Sequence, residues 1–136
     1  MGFEIGPGFL FFSDENKTTF AIKEIIYDTS DPNEIEEREK AVMYLVTSIE
    51  LYKKGKFKKS FNLLEKALSV FKTYSELSYG IGLFFVGEFY EFKEEWDNSI
   101  KNYEACYNIL KKYEHKMAWD AEKRIEKIRK IMEDEK

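Results

Sequence analysis

The sequence predicts an all-α fold: antiparallel helical hairpins stacked in a short array, closed by a C-terminal helix and preceded by a short β-hairpin-like extension. Three observations lead there. The first is an internal repeat. Ser48, Leu51, Gly55, Phe57, Ser60, Leu64 and Ala67 are matched, without a gap and at a constant offset of 39 residues, by Gly87, Tyr90, Glu94, Trp96, Ser99, Tyr103 and Cys106. Small residues recur where two helix backbones touch, and large ones fill the space between them. The second is helix punctuation at Asp31, Pro32, Asn33 and Glu34: an N-cap, a first-turn proline and an acidic residue that can reach back. The third is a stripe near the end of the chain. Met117, Ala118, Ala121, Ile125, Ile128 and Met132 share one helical face, and Lys, Arg and Glu occupy the other.

At 136 residues the chain has the length of one domain. A chain of this size buries roughly two thirds of its unfolded surface, enough for a core without staples. Apolar residues make up 43% and aromatics 17%, which excludes a disordered chain. The net charge of −4 is spread through mixed Lys and Glu, so there is no general pull toward nucleic acid or an anionic membrane. Residues 1–12 carry no basic residue and only four consecutive apolar ones, unlike a secretory signal. The uncharged runs 41–49 and 77–87 are too short to span a bilayer. One cysteine, Cys106, allows no intrachain disulfide. The expected setting is the cytoplasm, with no membrane partner. Lys outnumbers Arg 19 to 3, Glu outnumbers Asp 20 to 6, and Gln is absent. That bias resembles hyperthermophile proteins, although a low-GC mesophile would share the lysine preference.

In chain order, residues 1–30 form the extension. Gly2, Gly6, Pro7 and Gly8 break any regular pattern, residues 9–12 are apolar, residues 13–17 are a polar turn, and residues 18–27 are rich in β-branched and aromatic side chains. This reads as a β-hairpin packing on the helices; an amphipathic helix over 14–27 is the rival reading. Residues 31–136 form the helical domain. Its first helix is expected from Pro32 to about 54, ended by Gly55 in a left-handed cap. The others are expected over about 57–74, 77–93, 95–112 and 114–133.

The repeated small residues, together with the Gly87-x-x-Tyr90 spacing, resemble a pair of tetratricopeptide repeats, each a helix–turn–helix of about 34 residues. The resemblance covers repeats at about 41–74 and 80–113 and a capping helix at about 114–134, where Ala121 follows Gly87 by 34 residues. Glu94 stands where the first repeat has its turn glycine, no proline closes either repeat, and the 39-residue offset implies longer helices or a longer connection near 73–78. A plain bundle of four or five helices is the alternative architecture.

The resemblance implies a groove lined by the first helix of each hairpin. Position by position, Val42, Leu45, Ile49, Tyr52 and Lys53 would face it from the first repeat, and Ile81, Phe84, Glu88, Glu91 and Phe92 from the second. Only Lys53 has the character of a clamp for a terminal carboxylate, so an apolar and aromatic contact with a protein segment is expected. Runs 41–49 and 77–87 are uncharged on every face and call for cover on every side, from the extension or from another chain.

Nothing in the chain points to catalysis. His115 is the only histidine, no His/Cys cluster offers a metal site, and no cofactor is expected. Cys106 occupies a small-residue packing position and reads as a buried thiol. The pairs Gly6/Gly8 and Gly80/Gly82 lack phosphate-loop spacing, and the carboxylates Glu88, Glu91, Glu94 and Glu95 read as solvated helix faces. The sharpest charge feature is the run Lys53, Lys54, Lys56, Lys58 and Lys59 around Gly55. It reads as a solvated turn favoured by the negative end of the first helix, with nucleic acid not expected as a partner. The function expected is a non-catalytic scaffold or adaptor that holds a protein segment. The alternatives are a self-associating structural subunit, such as a homodimer, whose groove is closed by the extension or a second copy, and an accessory subunit docking through the lysine turn.

Overall fold

A computed structural model describes residues 30–135. These residues form five helices and no strand: α1 (Pro32–Lys53), α2 (Phe57–Tyr74), α3 (Glu76–Phe92), α4 (Trp96–Lys112) and α5 (Met117–Asp134). The chain is all-α over this range. The expected N-terminal β-hairpin and its helical rival both lie outside the described residues.

The helices begin and end for local reasons. Asp31 caps α1, its carboxylate accepting the Asn33 N–H at 2.9 Å, with Pro32 in the first turn. Ser75 is extended and caps α3, its hydroxyl accepting the Ser78 N–H at 3.1 Å, so a single residue separates α2 from α3. The other three turns share one geometry. Gly55, Glu94 and Glu114 adopt left-handed backbone, with φ of 80°, 59° and 51°. The next residue in each case reaches back across the helix end: Lys56 N–H to Leu51 O at 2.9 Å, Glu95 N–H to Tyr90 O at 3.0 Å, and His115 N–H to Leu110 O at 3.1 Å. That third turn explains why α5 starts at Met117 and not at 114 as expected. Glu114 closes α4, and His115 Nδ1 then accepts the Met117 N–H at 3.1 Å.

The helices pack in sequence. α1 lies on α2, α2 on α3, α3 on α4 and α4 on α5, and α3 also meets α5. α3 is therefore the central element, and residues 80–89 are all buried. Glycines bring its backbone close to both neighbours. A Cβ at Gly87 would sit 2.7 Å from the Tyr103 ring of α4, and one at Gly82 would strike Leu68 of α2.

Repeated small residues mark the two hairpin contacts. Ser48 and Ser60 exchange hydrogen bonds, each hydroxyl donating to the other's backbone carbonyl at 2.8 and 2.7 Å. At the equivalent places of the second hairpin the Ser99 hydroxyl donates to Gly87 O at 2.7 Å. Burying a hydroxyl without a partner is unfavourable, so these bonds let polar small residues serve at a close contact.

The demand for cover on every side is met for α3 but not for α1. Met43 is 62% exposed, and Tyr44, Val46 and Thr47 are exposed as well. Among the described helices the α1 backbone meets only α2, which encloses one face.

Candidate functional site

The residues expected to line the groove are mostly buried. Leu45, Tyr52, Ile81, Phe84 and Glu88 are almost completely enclosed, Val42 is 6% and Ile49 8% exposed, and Glu91 is buried too. Lys53 and Phe92 are half-buried. The two sets meet through side chains at the turn end, where the Tyr52 ring lies 4.9 Å from Phe92 and 5.3 Å from Phe89. Elsewhere the helices stand apart: no Cα of α1 lies within 8 Å of one in α3.

Beside this face lies a buried polar cluster. Glu91 of α3 accepts a hydrogen bond from the Tyr103 hydroxyl of α4 at 2.8 Å. The same carboxylate is held by the Arg124 guanidinium of α5, through Nε at 3.2 Å and through Nη2. Glu88 sits one turn earlier and is 0% exposed. Burial, then the charges of Glu88 and Glu91, push the Tyr103 hydroxyl well above the ordinary tyrosine value. Burial and the Glu88 charge do the same to Tyr52. Burial works against the Arg124 charge more than any other single influence, but the bond to Glu91 together with the charges of Glu91, Tyr103 and Glu88 keeps the guanidinium above its ordinary value. Burial and the neighbouring Arg124 lower Lys127. The cluster is thus a charged pair with a neutral phenol, tying three helices together.

The carboxylates divide differently from the sequence reading. Glu94 and Glu95 are on the surface as expected, whereas Glu88 and Glu91 are buried and belong to the core. Residues 80–89 of α3 are all buried, so Glu88 within that stretch and Glu91 just after it are enclosed, whereas Glu76 at the start of the helix is exposed. Tyr103 and Arg124 were not singled out as partners. The available signal was an arginine, one of three in the chain, set beside the apolar stripe of the last helix. Arginine's planar fork suits a buried carboxylate better than lysine does.

Cys106 is fully buried, and burial raises its thiol far from the reactive range. Among the described residues no group of three His, Cys, Asp or Glu side chains could hold a metal ion. No described helix is long and apolar enough to cross a membrane.

The lysine turn is the α1–α2 connection. Lys54, Lys56, Lys58 and Lys59 are exposed and Lys53 is half-buried. Next to it, where α2 begins and α3 ends, a pocket of about 530 Å³ opens. Phe57, Phe61, Phe89 and Tyr90 give it an aromatic wall, and Lys58, Lys93, Glu95, Asn62 and Asn98 give it a polar rim. Phe61 packs against Phe89 at 5.2 Å and Tyr90 at 5.6 Å. Sequence reasoning found the lysines but not this pocket, because its wall comes from two helices that touch only after folding.

No family model, curated protein or solved structure matches the chain.

Proposed function

We propose that this chain is a non-catalytic protein-interaction scaffold built from tetratricopeptide-like hairpins, and that the face shared by α1 and α3 holds an apolar protein segment. In the full chain that segment is its own residues 1–29, folded as a hairpin over the groove. One observation carries the reading: Val42, Ile49 and Glu88 are buried although the α1 and α3 backbones stay more than 8 Å apart. The matching serine contacts of the two hairpins support the repeat architecture. Residues 9–12 and 20–26 are apolar enough to act as the cover. Removing a few hundred Å² of apolar surface from water at about 25 cal/mol per Å² is worth several kcal/mol, comparable to the stability of a small domain.

The test is deletion of residues 1–29 followed by return of the same residues as a separate peptide. The shortened protein should bind a hydrophobic dye and unfold early, and the peptide should reverse both changes. A shortened protein that is dye-silent and as stable as the full chain would defeat the covering role. A second reading, cover by another copy of the chain, draws on the exposed Met43, Tyr44 and Val46 of α1. Sedimentation of the full chain as a dimer that Tyr44→Glu dissociates would favour it.

A further inference from the structure

We propose that the aromatic pocket beside the lysine turn docks an acidic peptide segment of another protein, through one bulky apolar side chain flanked by carboxylates. This site borders the α1–α3 groove, with Tyr52 of the groove packed on Phe57 and Phe89 of the pocket at 5.2 and 5.3 Å, and its ligand is set by the pocket's own lining.

Three features of the pocket converge on this ligand. Its volume, about 530 Å³, suits one large side chain with its neighbouring backbone. Its wall is aromatic and not sealed: Phe57 remains 37% exposed, an unusual position for phenylalanine beside a ready-made cavity. Its surroundings carry unspent positive charge. Lys54, Lys56, Lys58 and Lys59 make no ion pair among the described residues, although the chain has 26 acidic residues to 22 basic ones.

The polar rim distinguishes a peptide from a nucleic acid. Lys58 stands on the α2 side, within reach of a carboxylate next to the anchor. Lys93 on the opposite side is already held by Glu95 at 3.2 Å. The amides of Asn62 and Asn98 can both donate to and accept from a peptide backbone. An anchor in the aromatic wall, a main chain across the two amides and an acidic flank toward the lysine turn use every kind of group the pocket presents. Exposed charge contributes mainly to encounter and orientation, and the aromatic wall contributes most of the hold.

The probe is a fluorescein-labelled pentapeptide, Glu-Asp-Phe-Asp-Glu, titrated with the full chain by anisotropy. Saturable binding that weakens with added salt is expected. Asn62→Trp, which plugs the pocket from an exposed position, should weaken it by about tenfold or more, and Lys58→Glu by about five- to tenfold. Asn98→Trp gives an independent plug from α4 should the α2 variant fail to fold. Lys66→Glu, at an exposed α2 lysine whose ammonium lies over the Tyr44 ring, should leave binding unchanged. Binding that survives both plugs, or that is equal for Glu-Asp-Ser-Asp-Glu, would overturn the proposal. So would no binding up to about 1 mM, a concentration that corresponds to only about 4 kcal/mol of affinity. An oligothymidylate that binds more tightly than the peptide and displaces it would assign the aromatic wall to bases.

Discussion

Ser60 and Ser99 stand where α2 and α4 touch the preceding helix, and each returns its hydroxyl to a backbone carbonyl there. Gly87 completes the second contact by letting the Tyr103 ring lie on the α3 backbone. Ser60→Leu, Gly87→Leu and Ser99→Leu should each be destabilising by about 1–3 kcal/mol in urea melts, since neither helix can yield without moving its neighbours. Lys112→Leu should leave stability nearly unchanged in the same melts, although Lys112 reaches Glu76 at 2.7 Å, because both partners are exposed. Equal effects in the two groups would show that the small residues are not at the contacts. The Glu91 cluster makes a pH prediction. The folded Tyr103 hydroxyl titrates above its unfolded value of about 10. Its contribution to stability is therefore complete below about pH 10 and is lost as pH rises beyond that. Tyr103→Phe should lower stability at neutral pH by about 1 kcal/mol, by removing the bond to Glu91. It should also flatten the alkaline fall, but not abolish it, because Tyr52 is raised in the same direction.

At the scale of elements, three turns reach one geometry from different residues. Gly55 adopts its positive φ without strain, whereas Glu94 and Glu114 do so with a Cβ in the way. A side chain in left-handed backbone is unfavourable by about 1–2 kcal/mol. Glu94→Gly and Glu114→Gly should each raise the melting temperature, and Gly55→Ala should lower it; a fall in both glycine variants would mean that the glutamate side chains stabilise their turns. The Glu94 turn was legible from its offset to Gly55. The Glu114 turn was not: a glutamate gives no sign of left-handed backbone, so the reading extended α5 three residues too far.

At the scale of the whole molecule, α3 is enclosed by its neighbours, whereas among the described helices α1 packs only on α2 and leaves Met43, Tyr44 and Val46 exposed. Amide exchange should therefore be slowest over residues 80–89 and faster along α1, even though both helices carry long uncharged runs. Uniform protection across the two would indicate that the outer side of α1, which carries Met43, Tyr44 and Val46, is covered in solution as well. Composition could not separate these helices, since both looked equally in need of cover. The difference is one of position: among the described helices the middle one packs against three others, and the first packs against one.

What the sequence by itself determined is local or periodic. The helix start at Asp31, the end at Gly55, the α5 stripe and the small residues at the hairpin contacts depend on nearest neighbours along the chain or along one helix face. They could be read from residue type and spacing. What only the tertiary structure decided needs three or more helices at once. Glu88 and Glu91 looked like surface carboxylates until α4 and α5 closed over them with Tyr103 and Arg124. The aromatic pocket likewise exists only where Phe61 of α2 meets Phe89 and Tyr90 of α3. Burial and partnership of a side chain are properties of its whole surroundings, and one strand of sequence specifies those only through the fold.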